Sequence, residues 1–351
     1  MTTALGRRIA GLIRAGGPMS VADYMALCLG DPAEGYYMRR DPFGAKGDFI
    51  TAPEVSQMFG ELVGVWCLMR WIEMGEPASV ALVELGPGRG TLMADLLRAA
   101  GSRSAFRQAL TVHLVEMSPH LKKRQSETLN GADPIWHDGV ATLPDGPLIV
   151  VANEFFDALP VRQFVRTEKG WHERVVGLAG DNETLAFGLG TGLPDPSEIP
   201  PGADAAPPGS IFETCRPGAA IMTDLAGRIA RHGGALLAID YGHAKSAVGE
   251  TLQAMKAHRY VDPLTEPGKA DLTAHVDFET LAKAAEGAGA RVEPVQTQGD
   301  FLLSLGLLER AGRLGACKDT ATQETIRAAV ERLAGPDQMG TLFKVLQVRD
   351  R

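Results

Sequence analysis

The sequence predicts an α/β protein on a Rossmann-like, doubly wound sheet with helices on both faces, a helical N-terminal region and insertions. Three observations predict it. Val80 to Thr91 reads VALVELGPGRGT, a strand apolar enough for burial on both faces, then a turn punctuated by Gly86, Gly88 and Gly90. An amphipathic segment follows, with Leu92, Met93, Leu96 and Leu97 on one side. Further apolar runs then alternate with helical patterns, and the alternation resumes at Ala235–Asp240 after an interruption.

Residues 1–78 read as a helical region with one long loop, and residues 79–351 as the main domain, with insertions at about 161–233 and 244–275. Leu5–Arg14 carries Arg7, Arg8 and Arg14 without an acid, the charge pattern of a transit peptide. Its short length and its apolar stripe (Leu5, Ile9, Leu12, Ile13) favour a structural helix. Ser20 and Asp23 form a capping-box pattern. Asp41–Glu54 is rich in Gly, Pro and Asp, and Pro53 suits the first position of a helix over Glu54–Met74. That helix is apolar nearly all round, through Val55, Met58, Phe59, Leu62, Val63, Trp66, Met69 and Ile72, which predicts burial. A long loop leading into a buried helix points to function; a plain surface loop is the alternative.

The second strand is Leu110–Glu116, followed by a helix near Ser118–Leu129 and a short strand ending at Trp136-His137-Asp138. Leu148–Ala152 runs straight into Asn153–Pro160. Val161–Leu178 has β character around a turn at Glu168-Lys169-Gly170, and Leu193–Gly209 holds six prolines, expected as an exposed or mobile segment. Asp277 should cap a helix to Glu286, Arg291–Gln298 reads as a strand, and Phe301–Gly312 as a helix. Thr320 and Gln323 suggest another capping box, Gly335-Pro336 a stop, and Thr341–Val348 a closing strand.

Composition narrows the function. A net charge of −8 argues against broad nucleic-acid binding, which needs a basic face. Cys28, Cys67, Cys215 and Cys317 are scattered without a C-x-x-C pair, so neither a disulfide framework nor a zinc site is expected, and no metal is called for. No apolar run approaches the ~20 residues of a membrane span.

The glycine spacing carries the chemistry. A dinucleotide fingerprint would need its third glycine at Thr91; here it falls at Gly90, and Glu84 stands just before the turn. G-x-G-x-G after an acid resembles the first motif of class I S-adenosylmethionine-dependent methyltransferases. Their cofactor lays an amino acid across the turn, so backbone must approach closely at Gly86, Gly88 and Gly90. Glu84 can receive its ammonium group. Glu116, one βα unit on, can accept both ribose hydroxyls, Asp138 can accept from an adenine amino group, and Thr51 is expected near the cofactor. The bland alternatives are a glycine turn after any buried strand and surface acids at strand ends. Asn153, Glu154 and Asp157 are the candidate acceptor-handling residues, with Phe155 and Phe156 as walls; the alternative makes them turn and core residues. Two carboxylates suit a guanidinium, which needs orientation and loses a proton during transfer. The stretch lacks the Pro-Pro of the Asn/Asp-Pro-Pro-aromatic motif, against adenine or glutamine side-chain methylation. Asp240, Tyr241 and His243 are second-tier candidates.

Six stretches together resemble the MidA-like family: GDFITAPEVSQMFGE (Gly47–Glu61), VELGPGRGT (Val83–Thr91), NEFFDALPV (Asn153–Val161), IDYGH (Ile239–His243), DLTAHVDF (Asp271–Phe278) and MGTLFKVL (Met339–Leu346). They span nearly the whole chain in family order. The resemblance implies a class I methyltransferase fold, S-adenosylmethionine as cofactor and a protein substrate. In the mitochondrial branch it implies symmetric dimethylation of an arginine on a core subunit of respiratory complex I, in the matrix; a bacterial member would act in the cytoplasm and need not share that acceptor. The rival readings are a nicotinamide-dependent oxidoreductase and a non-catalytic assembly protein that keeps a cofactor pocket.

Overall fold

The computed structural model describes residues 3–39 and 51–351. The first part of the predicted Gly/Pro-rich loop, with Gly47–Ile50, lies outside them. Among the described residues the central sheet has nine strands, seven of them on one path: β1 Val80–Leu85, β2 Leu110–Val115, β3 Ile135–His137, β4 Leu148–Asn153, β5 Gly234–His243, β6 Arg291–Val292 and β7 Phe343–Arg349, with Val276–Asp277 paired to β5 and Gln296–Thr297 to β7. Their spatial order is β3-β2-β1-β4-β5-β7-β6. Strands β1 to β5 pair in parallel, and β7 runs antiparallel to β5 and β6. The chain thus starts in the middle, winds out to β3, and returns past β1 to β4, leaving a switch point between β1 and β4 where ligands bind in such sheets.

Every residue of β1 and β4 is buried, which explains why both read as continuous apolar runs. Alternation then assigns the faces. Val80 and Leu82 join Phe59, Leu62, Trp66, Leu92 and Leu96 on one side. Ala81, Val83 and Leu85 join Met222, Leu225, Ile229, Phe278 and Leu281 on the other. The helix Arg216–His232 supplies that second layer and makes the crossover from β4 to β5.

The predicted single helix over Glu54–Met74 is two. Thr51 precedes a short helix, Ala52–Val55, and Ser56 in an extended conformation (φ −164°) starts a new one, Gln57–Glu73, accepting from the Met58 N–H at 3.2 Å. The break is a cap, because a serine hydroxyl competes for the backbone donors of the next turn. Burial of the long helix is one-sided: Val65, Met69 and Ile72 are exposed. Its inner side is anchored by Trp66, whose indole N–H donates to Gln347 at 2.6 Å, and by Glu61, which accepts from Arg310 and Arg98.

Several boundaries shift for local reasons. Leu12 is exposed, so the first helix, Ala4–Gly16, buries Leu5, Ile9 and Ile13. Asp319 rather than Thr320 caps Thr320–Ala334, accepting from the Thr322 N–H. The strand expected over Arg291–Gln298 survives as Arg291–Val292 and Gln296–Thr297, on either side of Pro294. The helix expected from Phe301 divides into Gln298–Ser304 and Leu307–Gly315 at Gly306, which sits at φ +91°. The cap expected at Asp277 is present.

The interruptions of the alternation are small sheets. Arg162–Thr167 and Gly170–Leu178 pair as a hairpin, flanked by Ile211–Thr214 and by Met19–Ser20 of the N-terminal region. The proline-rich segment is largely exposed, as expected, but carries local order. It forms 3₁₀ turns at Pro196–Glu198 and Ala203–Ala205, and Ala203 packs with Phe164, Trp171 and Phe212. Gln253–Lys256, Arg259–Val261 and Asp271–Thr273 make a three-stranded sheet beside the mouth of the central one. No helix among the described residues is long and apolar enough to cross a membrane.

Candidate active site

A cavity of about 770 Å³ opens at the carboxyl ends of β1, β2, β4 and β5. At one end lies the glycine turn. Gly86, Gly88 and Gly90 have φ of +60°, +51° and +80°, values that side chains with a Cβ rarely adopt. A Cβ on Gly86 would also stand 3.0 Å from Cδ2 of Phe155, so the turn is backed directly by the loop that follows β4.

Glu84, buried in the wall beneath this turn, has an Oε2 with no hydrogen-bond partner. Burial pushes its carboxyl up to about 8, with the Met93 N–H acting in the opposite direction. Glu116 follows β2. Its Oε1 accepts from the Ser118 N–H at 2.8 Å and its Oε2 from the Gln125 amide at 3.0 Å. Burial raises this carboxyl too, and those hydrogen bonds oppose the rise. Asp138 is on the cavity rim but exposed, with Lys122 Nζ at 2.6 Å holding its carboxyl below the usual range. Thr51 is buried in the wall, and its hydroxyl makes no capping bond.

The other end follows β4. Asn153 and Asp157 are buried, and each has a side-chain oxygen, Oδ1, without a partner. Glu154 sits at φ +51° and its Oε1 accepts from the Ala52 N–H and the Asn153 amide, both at 3.1 Å. Burial, reinforced by the neighbouring Asp157, raises Glu154 to about 7; burial also raises Asp157. The two phenylalanines divide: Phe156 joins the core and Phe155 lines the cavity. Segment 51–56 spans both ends, since Glu54 accepts from the Thr91 hydroxyl at 2.7 Å while Ala52 reaches Glu154.

Of the second-tier candidates, Tyr241 is in the wall, Asp240 is wholly buried behind the loop, and the ring of His243 is turned to the Lys245 carbonyl at 2.7 Å. Sequence reasoning missed Gln125, fully buried, whose amide also donates to the Gly88 carbonyl at 2.9 Å while its oxygen accepts from Trp136. It missed Tyr37 as well, whose hydroxyl donates to Asp271 at 2.7 Å. The DLTAHVDF resemblance marked Asp271, but nothing in the sequence paired it with Tyr37.

The cavity suits an extended ligand with a cationic amino-acid end: backbone is bare along the glycine turn, and an orphaned carboxylate oxygen waits beneath it. The family described as "Putative S-adenosyl-L-methionine-dependent methyltransferase" matches residues 62–295. The chain belongs to this family. Two mitochondrial protein arginine methyltransferases named NDUFAF7 are similar over nearly its whole length. That of Danio rerio is 37% identical, covering 97% of this chain and 86% of its own; that of Homo sapiens is 36% identical, covering 97% and 82%. A protein from Burkholderia thailandensis, solved with S-adenosyl-homocysteine bound, superposes with a TM-score of 0.84 at 27% identity, over 99% of this chain and 92% of that one. This methyltransferase therefore uses S-adenosylmethionine, on the class I sheet the sequence predicted.

Proposed function

We propose that this methyltransferase transfers a methyl group to an arginine side chain of a protein, a core subunit of respiratory complex I or a similar partner being the first candidate. The observation that carries the reading is the pair of carboxylates after β4, Glu154 and Asp157, set beside the glycine turn in a cavity whose wall holds, among the described residues, five further acidic side chains, Glu54, Glu84, Glu116, Asp138 and Asp271. The names of the curated relatives support it.

In this reading Gly86, Gly88 and Gly90 admit the cofactor, Glu84 receives its ammonium, Glu116 its ribose hydroxyls, and Thr51 and Asp138 flank it. When bound, S-adenosylmethionine supplies an electrophilic methyl group on a sulfonium. Glu154 and Asp157 orient the guanidinium, and Asn153 Oδ1 accepts from one of its N–H groups. Phe155 screens the methyl side from water. The proton that leaves the acceptor nitrogen goes to a carboxylate raised enough by burial to hold it, at Asp157 Oδ1 or Glu154.

The test is single-turnover transfer of labelled methyl from S-adenosylmethionine into cell lysate, followed by mass spectrometry of the labelled protein. The expected result is label on arginine. Label on lysine or glutamine would overturn the acceptor. Tight cofactor binding with no labelled protein would leave an assembly protein that keeps a cofactor pocket.

A further inference from the structure

The loop that carries Glu154 and Asp157 is held by a carboxylate that does not face the cavity. Asp240, near the end of β5, has no exposed surface. Its Oδ2 accepts from three successive backbone N–H groups, Phe155 at 3.1 Å, Phe156 at 3.0 Å and Asp157 at 3.2 Å. Its Oδ1 accepts from the Tyr241 N–H at 3.0 Å. Three consecutive donors can converge on one oxygen only if the chain curls around it. Glu154 makes that curl: its N–H still continues the sheet, donating to the Ile239 carbonyl at 2.9 Å, and its φ of +51° then turns the chain. A non-glycine residue in this region is strained and persists only where surroundings fix it.

Among the described residues no lysine, arginine or histidine pairs with Asp240. Glu154 and Asp157 face it from the loop after β4, and Tyr241 follows it on β5. Lys344 stands opposite in register on β7, with Nζ turned to the carbonyls of Thr341 and Leu342. Backbone dipoles therefore hold this carboxylate. An amide in its place would present one oxygen and two N–H groups to four N–H donors.

We propose that Asp240 is the positioning residue of the acceptor site, a fixed anion nested in backbone N–H groups that shapes the Glu154–Asp157 loop and whose charge keeps those two carboxylates basic. The inference rests on the reading of that loop as the acceptor site. Burial pushes all three carboxyls up, with Asp157 adding to the rise at Glu154 and both loop acids adding to it at Asp240, but only Asp240 has four N–H donors favouring its ionised form. Within the cluster, Glu154 and Asp157 are accordingly the carboxylates that take up a proton, as release of the acceptor's proton requires.

The test compares the wild type with Asp240→Asn and with the smaller Asp240→Ser, which serves if the first does not fold. With glutamate carboxyls labelled with carbon-13, the titration of Glu154 (assigned through Glu154→Gln) should move down by about one pH unit in either variant, since a neighbouring charge has gone. The amides of Phe155, Phe156 and Asp157 should be protected from hydrogen exchange in the wild type and exchange freely in the variants. Labelled methyl transfer from S-adenosylmethionine into lysate protein should fall at least about tenfold. A merely structural loosening would lower the rate and leave the titration in place. An unmoved or raised Glu154 midpoint overturns the inference, as does rapid exchange of the three wild-type amides. Wild-type protein that binds cofactor and labels nothing instead overturns the proposed function, and the titration and exchange measurements decide the inference without it.

Discussion

At the Gly86–Gly90 end the cavity wall is nearly one continuous piece of chain, a strand, its turn and the neighbouring strand's end. At the Asn153–Asp157 end it is assembled from segments far apart, with Ala52 bonded to Glu154, Asp240 behind the loop, and Tyr37 and Asp271 in the same wall. The first end depends on backbone conformation, which a few glycines specify. The second depends on carboxylates whose protonation is set by burial and by each other. Changes at the glycine turn should therefore act on cofactor affinity, and changes after β4 on turnover.

The sharpest break in that contrast is Gly88→Val. It forces a branched side chain into φ +51° where backbone must meet the ligand, so cofactor binding should fall below detection in calorimetry. The left-handed conformation adds a cost of about 1–2 kcal/mol to the fold, visible as a lower melting temperature. Undiminished binding would remove the site from this turn. Next come Glu154→Gln and Asp157→Asn, which keep size and remove charge. Methyl transfer should drop by about 10²-fold or more with cofactor affinity retained, the scale of a lost general base. Full activity in both would detach the carboxylates from the chemistry.

Glu116→Ala should weaken cofactor binding by about 1–3 kcal/mol in a titration. Gln125→Ala should follow it in direction, because the Gln125 amide joins Glu116 to the Gly88 carbonyl. If Gln125→Ala binds as the wild type does, the bridge has no part in the site. The pH dependence concerns Glu84. A carboxyl raised to about 8 in the folded protein stabilises the cofactor-free fold most below the unfolded value near 4.5, and that contribution is lost as pH rises through 8. Receiving an ammonium requires the ionised form, so binding releases a proton below pH 8. Affinity should then rise with pH up to about 8, by at most about tenfold per unit, and flatten in Glu84→Gln. Calorimetry in buffers of different ionisation enthalpy reads the released proton directly, and its absence would free Glu84 of this role. The smallest effect is expected at exposed Asp138, where Asp138→Ala should change cofactor affinity by less than about twofold. A larger loss would show that the adenine amino group reaches it.

The same contrast marks what could be read in advance. The sheet was legible because strands buried on both faces must be apolar throughout, as Val80–Leu85 and Leu148–Asn153 largely are, and because glycine alone tolerates positive φ at three nearly adjacent positions. Placement of Glu84, Glu116 and the Asn153–Asp157 loop at one rim followed from strand order. The break at Ser56, the one-sided burial of the following helix and the local order of the proline-rich segment were not legible. Each depends on what packs against it. Gln125 could not be found either: a glutamine in a polar helix carries no signal until Glu116, Trp136 and the Gly88 carbonyl converge on it.

Neighbouring residues alone encode the doubly wound sheet, the glycine turn and the acids at the ends of β1, β2 and β4, because periodicity and steric permission are local properties. Only the tertiary structure decided that Asp240 reaches back across some eighty-five residues to three loop N–H groups, that Ala52 bonds Glu154, and that burial lifts Glu84 and Glu154 toward neutrality. Those are properties of distance and dielectric, which exist only once the chain has closed on itself.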